Sequence, residues 1–214
     1  VITVESGTLN LYDCSGTNAG KITGGDGENG GGILVSGNVL NMYGGTITGN
    51  SVSGDGGGIN VSADGRFTMH GGVISDNVAR GNGGGVYICH YNGSRATFDM
   101  RGGKIAGNMS EIGGGGVHMN DADDSIFVSG GEITGNRGVY GGVYVTGGIT
   151  SVGLQGAVKI TNNSTVAGNA SNLYLTNGAA TVSGPLSDGA YVGISLGVSH
   201  TGVFVTGYAT HNGG

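Results

Sequence analysis

The chain has 214 residues, of which 52 are glycine and 10% are charged, with a net charge of −6. Glycine at this level suits collagen or disorder, but no strict Gly-X-Y period exists and Ile, Val, Leu, Met and Phe recur in register throughout. The absence of a Lys/Arg cluster argues against nucleic acid and anionic membranes as partners, and no run approaches the ~18 apolar residues that direct insertion into a bilayer needs.

The chain opens on a strand-like Val-Ile-Thr-Val and closes on Gly213-Gly214 without a signal peptide, so it reads as a module of a larger protein. The first recurring element is a pair of apolar residues two apart, ahead of a Gly-Gly or a degenerate equivalent. The pairs are Leu9/Leu11, Leu40/Met42, Phe67/Met69, Phe98/Met100, Ile126/Val128 and Val152/Leu154. Next comes Gly-Gly-x-Ile-Thr-Gly-Asn, at residues 44–50, 71–77, 102–108 and 130–136, with degenerate copies at 20–25 and 156–163. Its isoleucine falls at positions 22, 47, 74, 105, 133 and 160. A Gly-Gly-Gly-Ile/Val-x-Val element then supplies Ile33/Val35, Ile59/Val61, Val86/Ile88, Val117/Met119, Val143/Val145 and, more loosely, Leu173/Leu175. The three elements always follow one another in this order.

Apolar residues two apart lie on one face of a strand, and the residue between them faces away. Three short strands joined by Gly-rich turns close one coil, which cannot bury its apolar side chains alone. Stacked coils pair strand on strand at about 4.8 Å and share a core. The pattern therefore predicts an all-β, right-handed parallel β-helix: a single-stranded solenoid of about six coils over residues 1–175, with 176–214 as a C-terminal cap of irregular strands. Asn50, Asn77, Asn108, Asn136 and Asn163 recur at one corner, where positive φ is expected. Stacked inward, they would form a ladder.

The motifs GGI at 57–59 with ISDN at 74–77, and GGV at 84–86 with IAGN at 105–108, resemble the paired repeats of chlamydial polymorphic outer membrane proteins. They are also similar to Gly-rich β-helix repeats of surface proteins from gut Firmicutes. The resemblance covers residues 20–175 and departs from the chlamydial pattern in having Ile where that has Phe. It implies an extracellular, bacterial cell-surface, adhesin-like protein that binds a glycan or an extracellular protein ligand, or acts as a spacer. It transfers no catalytic residues.

Two surfaces invite a functional reading. The residues between the inward pairs of the Gly-Gly-Gly element include Tyr87, His118, Tyr144 and Tyr174, which stacking places in one column. An exposed aromatic row can stack on sugar rings, or the rings can stack on each other for stability alone. The corresponding residues of the first element include Tyr43, His70, Asp99, Arg101 and Phe127. A polysaccharide lyase or glycoside hydrolase on this fold would need converging acids. This face offers only Asp99, beside Arg101, so no catalytic residue is assigned.

The longest insertions fall between each Gly-Gly-Gly element and the apolar pair that follows it, at 62–66, 89–97 and 120–125. The last holds Asp121, Asp123 and Asp124, oxygen ligands that suit calcium, although no complete calcium loop is present and solvated loop acids are the favoured reading. No other cofactor is expected. Cys14 and Cys89 fall two coils apart on different faces, beyond disulfide reach, so two free thiols are expected.

Overall fold

The computed structural model describes residues 1–17, 19–91, 93–146, 151–176, 179–197 and 205–206. Its described residues form an all-β parallel solenoid of about six turns. Sheet I stacks Ile2–Val4, Ile33–Ser36, Ile59–Ser62, Val86–Cys89, Val117–Met119, Val143–Val145, Leu173–Leu175 and Ile194–Leu196. Sheet II begins with Thr8–Leu11, Val39–Met42, Arg66–Met69, Thr97–Met100 and Ser125–Val128, then continues through Ser151–Gly156, Ala179–Leu186 and Val205–Thr206. Sheet III carries the recurring isoleucines, from Lys21–Ile22 through Thr46–Thr48, Val73–Ser75, Lys104–Ala106, Glu132–Thr134 and Lys159–Thr161 to Tyr191–Val192.

Register follows the repeat. Ile22, Ile47, Ile74, Ile105, Ile133 and Ile160 stand in single file, with Val192 above them. Ile33, Ile59, Val86, Val117, Val143 and Leu173 form a second file, and Leu40, Phe67, Phe98, Ile126 and Val152 a third. Apart from the half-buried Ile22 and Val192 at the two ends, these side chains are essentially inaccessible to solvent and merge into one continuous core. Full burial of each such side chain is worth about 1.5–3 kcal/mol, and only the stack supplies that burial.

Five successive coils, from the second on, differ from the expected triangle by one additional, two-residue strand. Ser51–Val52, Val78–Ala79, Met109–Ser110, Arg137–Gly138 and Ser164–Thr165 pair in parallel as sheet IV, just after the recurring asparagine. Their inward positions run Val52, Ala79, Ser110, Gly138 and Thr165, a column without a common side-chain type.

The ladder is present. Asn50, Asn77, Asn108 and Asn136 each donate Nδ2–H to Oδ1 of the next asparagine at 2.8–3.0 Å. Each also donates to the carbonyl of the isoleucine one coil back. Gly25 N–H begins the chain on Asn50 Oδ1, and Asn172 Oδ1 ends it by accepting from Asn163. The left-handed conformation expected of these asparagines belongs instead to the residue before each: Gly49, Asp76, Gly107, Gly135 and Asn162 have φ of 64°, 55°, 66°, 64° and 55°. That turn directs the following asparagine inward.

In the C-terminal stretch the described strands continue the sheets of the coils. Residues 179–186, 191–192 and 194–196 add strands to sheets II, III and I in parallel register. Pro185 lies inside the strand Ala179–Leu186, next to the register shift between Leu154 and Gly156 of its neighbour. A bulge tolerates the missing N–H of proline. Val205–Thr206 pairs in parallel with Ala180 and Thr181 in sheet II; residues 198–204 and 207–214 of the expected cap lie outside the described residues.

Candidate functional site

Tyr87, His118, Tyr144 and Tyr174 do form one column, paired residue on residue through sheet I. The exposure that a sugar-stacking stripe requires is not found: Tyr87 is 6%, His118 3% and Tyr144 9% exposed, and Tyr174 is half-buried. The covering is the Gly-rich approach to each strand, which folds back over the outward side chains. A Cβ on Gly83 would sit 2.8 Å from Tyr87 Cβ, and one on Gly113 would overlap His118 Nδ1. Tyr140 completes the cover, its ring 3.9 Å from that of Tyr144. His118 lies between Tyr87 and Tyr144, with neither ring nitrogen hydrogen-bonded. Burial without a partner disfavours the charged imidazolium and lowers its pKa to about 3.

Exposed rings occur at the end of the sheet II strands. Tyr12, Tyr43 and His70 stack with centroids 4.7 and 4.5 Å apart and planes within 5° of parallel. Spacing this close leaves no room for a sugar between them, so most of the stack presents edges. Arg101 follows His70 in the strand-end series and binds Asp99 at 2.7 Å. The carboxylate of that face is thus held in an ion pair. Phe127, in register with Asp99, is exposed.

The insertions meet beside the outward face of sheet I. A groove of about 310 Å³ is lined by Asn29, Asp55, Asn60, Tyr87, His90, Tyr91 and Asn120, with Leu34, Ser62 and Cys89. One wall is pre-ordered: Asn29 Oδ1 accepts from Asp55 N–H at 2.8 Å, and Asp55 Oδ1 accepts from the backbone and side chain of Asn82. Tyr91, on the opposite loop, is 63% exposed.

At the loop end of this groove the three aspartates separate in role. Asp124 is 1% exposed; its Oδ1 accepts from Ala96 N–H at 2.8 Å, and its Oδ2 is buried without a partner. Burial raises its pKa to about 6, partly opposed by that hydrogen bond and by His90. Asp121 and Asp123 remain on the loop. Asp121 accepts from Asp123 N–H at 3.2 Å, and Asp123 faces Arg95 at 3.6 Å. The residues that converge are His90, Asp121 and Asp123, whose ligand atoms all lie within 4.8 Å of one another. The expected trio of acids gives way to one imidazole and two carboxylates, because Asp124 is committed inward to the backbone of the previous coil.

Both cysteines are free. Cys14 is exposed; Cys89 borders the groove, and burial, with Asp124 and Asp55 nearby, pushes its thiol up to about 12. The groove was hard to foresee because its lining comes from separate turns, loops and strand positions. The recurrence of turn residues Asn29, Asp55 and Asn82 was the available signal. Comparison with family models, curated proteins and solved structures returned no match, so the assignment established for the chain is its architecture, a parallel β-solenoid.

Proposed function

We propose that this solenoid is an extracellular, surface-displayed, adhesin-like module of a bacterial protein, and that it binds a glycan in the groove beside sheet I. The groove itself carries the reading: amides of Asn29, Asn60 and Asn120 and the carboxylate of Asp55 line it, with the exposed ring of Tyr91 at its rim. Amides and carboxylates satisfy sugar hydroxyls, and a phenol ring packs against the apolar face of a pyranose. The repeat's resemblance to bacterial surface proteins supports the extracellular setting. Rigid strands beneath the groove limit the ordering that binding would require.

A glycan array probed with the purified module, its Tyr91→Ala variant and its Asp55→Asn variant tests this. Retention on a defined glycan class that falls at least severalfold in either variant, with unchanged melting, is expected. A blank array for the unaltered module overturns the glycan reading and leaves a spacer role for the rod. Depolymerisation of an arrayed polysaccharide would favour the alternative, a carbohydrate-active enzyme.

A further inference from the structure

We infer that His90, Asp121 and Asp123 form a binding site for a divalent first-row transition ion, with Zn2+ as its representative, at the loop end of the groove. The inference does not depend on glycan binding.

Three observations converge. The first is proximity: a ring nitrogen of His90 and a carboxylate oxygen from each aspartate lie within 4.8 Å of one another, although the residues come from two successive insertions. Ligands of a tetrahedral ion bound at ~2.1 Å stand about 3.4 Å apart, so side-chain rotation within the loops has to close the trio by about an ångström and a half. The second is an unsatisfied pair of polar groups. Gly93 N–H donates to His90 Nε2 at 3.2 Å, a long hydrogen bond that ligation of an ion through Nε2 would replace; the proton of the neutral ring is then on Nδ1, which is buried without a partner. Asp124 Oδ2 is likewise buried and unpartnered, and its charge is coupled to His90, Asp121 and Asp123. A ligating imidazole ordinarily donates its other N–H to a carboxylate, and Asp124 is the buried carboxylate beside this one. The third is net charge. Two exposed or half-exposed carboxylates and a buried acid meet one countercharge, Arg95, at 3.6 Å from Asp123. Its side chain is 73% exposed and free to swing away.

The donor set selects the class of ion. Calcium takes six to eight oxygen ligands, whereas imidazole with carboxylates suits zinc and its neighbours. Water completes the coordination, so the site is an open one.

Equilibrium dialysis of the purified chain with Zn2+ tests the inference, with Ca2+ as competitor. One ion per chain is expected, with affinity at least tenfold weaker in His90→Gln, Asp121→Asn and Asp123→Asn. His70→Gln, on the stacked rings of sheet II, should leave affinity unchanged. Arg95→Ala should tighten binding by removing the competing charge. Asp124→Asn should weaken it by roughly tenfold or more, as loss of an outer partner does. No Zn2+ binding, binding indifferent to His90→Gln and Asp123→Asn, or displacement of Zn2+ by excess Ca2+ would each overturn the assignment. Melting curves without metal establish that the variants are folded.

Discussion

Asn77 and Asn108, 31 residues apart in sequence, share two hydrogen bonds: Asn108 Oδ1 accepts the backbone N–H of Asn77 at 3.0 Å and its side-chain N–H at 2.9 Å. Asn77→Ala removes a doubly used acceptor as well as a donor from a buried corner. Each buried group left unpaired costs ~1–3 kcal/mol, so a loss in that range or above is expected in urea unfolding. Asn172→Ala, at the half-buried end where water can replace the acceptor, should cost less. Equal losses at both positions would contradict a cooperative ladder.

The corner residue before each ladder asparagine yields a stabilising substitution. Asp76 occupies the left-handed region at φ 55°, where three of its four counterparts along the corner are Gly49, Gly107 and Gly135. A side chain there costs up to about 1–2 kcal/mol, less for aspartate, which tolerates the region. Asp76→Gly should therefore raise stability by up to about 1 kcal/mol. A lower melting temperature would show that the aspartate makes a compensating contact.

His118 should make the fold acid-sensitive. Its pKa is near 6.5 when unfolded and about 3 when folded, so the unfolded chain binds the additional proton. The stability it contributes is full above pH 6.5 and is lost as pH falls towards 3, by about 1.4 kcal/mol per unit. Asp124 acts in the opposite sense. Its raised pKa gives stability that is present below about 4 and lost as pH rises through about 6. His118→Phe should flatten the decline in melting temperature between pH 6.5 and 4; an unchanged slope would place the acid sensitivity elsewhere.

Tyr144→Ala reports on the covered column. With Tyr144 9% exposed and stacked under Tyr140, truncation should cost about 3 kcal/mol. A stable Tyr144→Ala protein would mean that the Gly-rich cover is loose.

The two thiols should differ in reactivity. Cys14 is exposed, whereas Cys89 is held protonated far above the usual 8.5. Iodoacetamide at pH 8 should label Cys14 rapidly and Cys89 only after unfolding, as peptide mass spectrometry can read. Rapid labelling at Cys89 would show the groove open at that edge.

Much of this architecture is legible in the chain, because recurrence at one side-chain position is itself a spatial statement: Ile47, Ile74 and Ile105 had to share a file once the coils stacked. The asparagine ladder followed from the same logic. Sheet IV did not, since Val52, Ala79, Ser110 and Gly138 share neither size nor polarity and each strand has only two residues. Burial of Tyr87 and His118 was hidden for a related reason. Glycine covers them, and a residue without a side chain leaves no pattern that distinguishes a lid from a turn. Asn172 joined the ladder from another part of its coil, nine residues after Asn163, where the repeat gives no cue. The meeting of His90 with Asp121 and Asp123 depended on loop conformations that a periodic argument cannot reach.

The ladder also has a direction. From Gly25 to Asn172 every rung hands its hydrogen the same way along the axis, so the amide dipoles add instead of cancelling, and each link polarises the next. A single inverted carboxamide would set oxygen against oxygen on one side and hydrogen against hydrogen on the other. The rod is therefore vectorial at its spine, and a coil added at either end has to match the sense of the current already running through it.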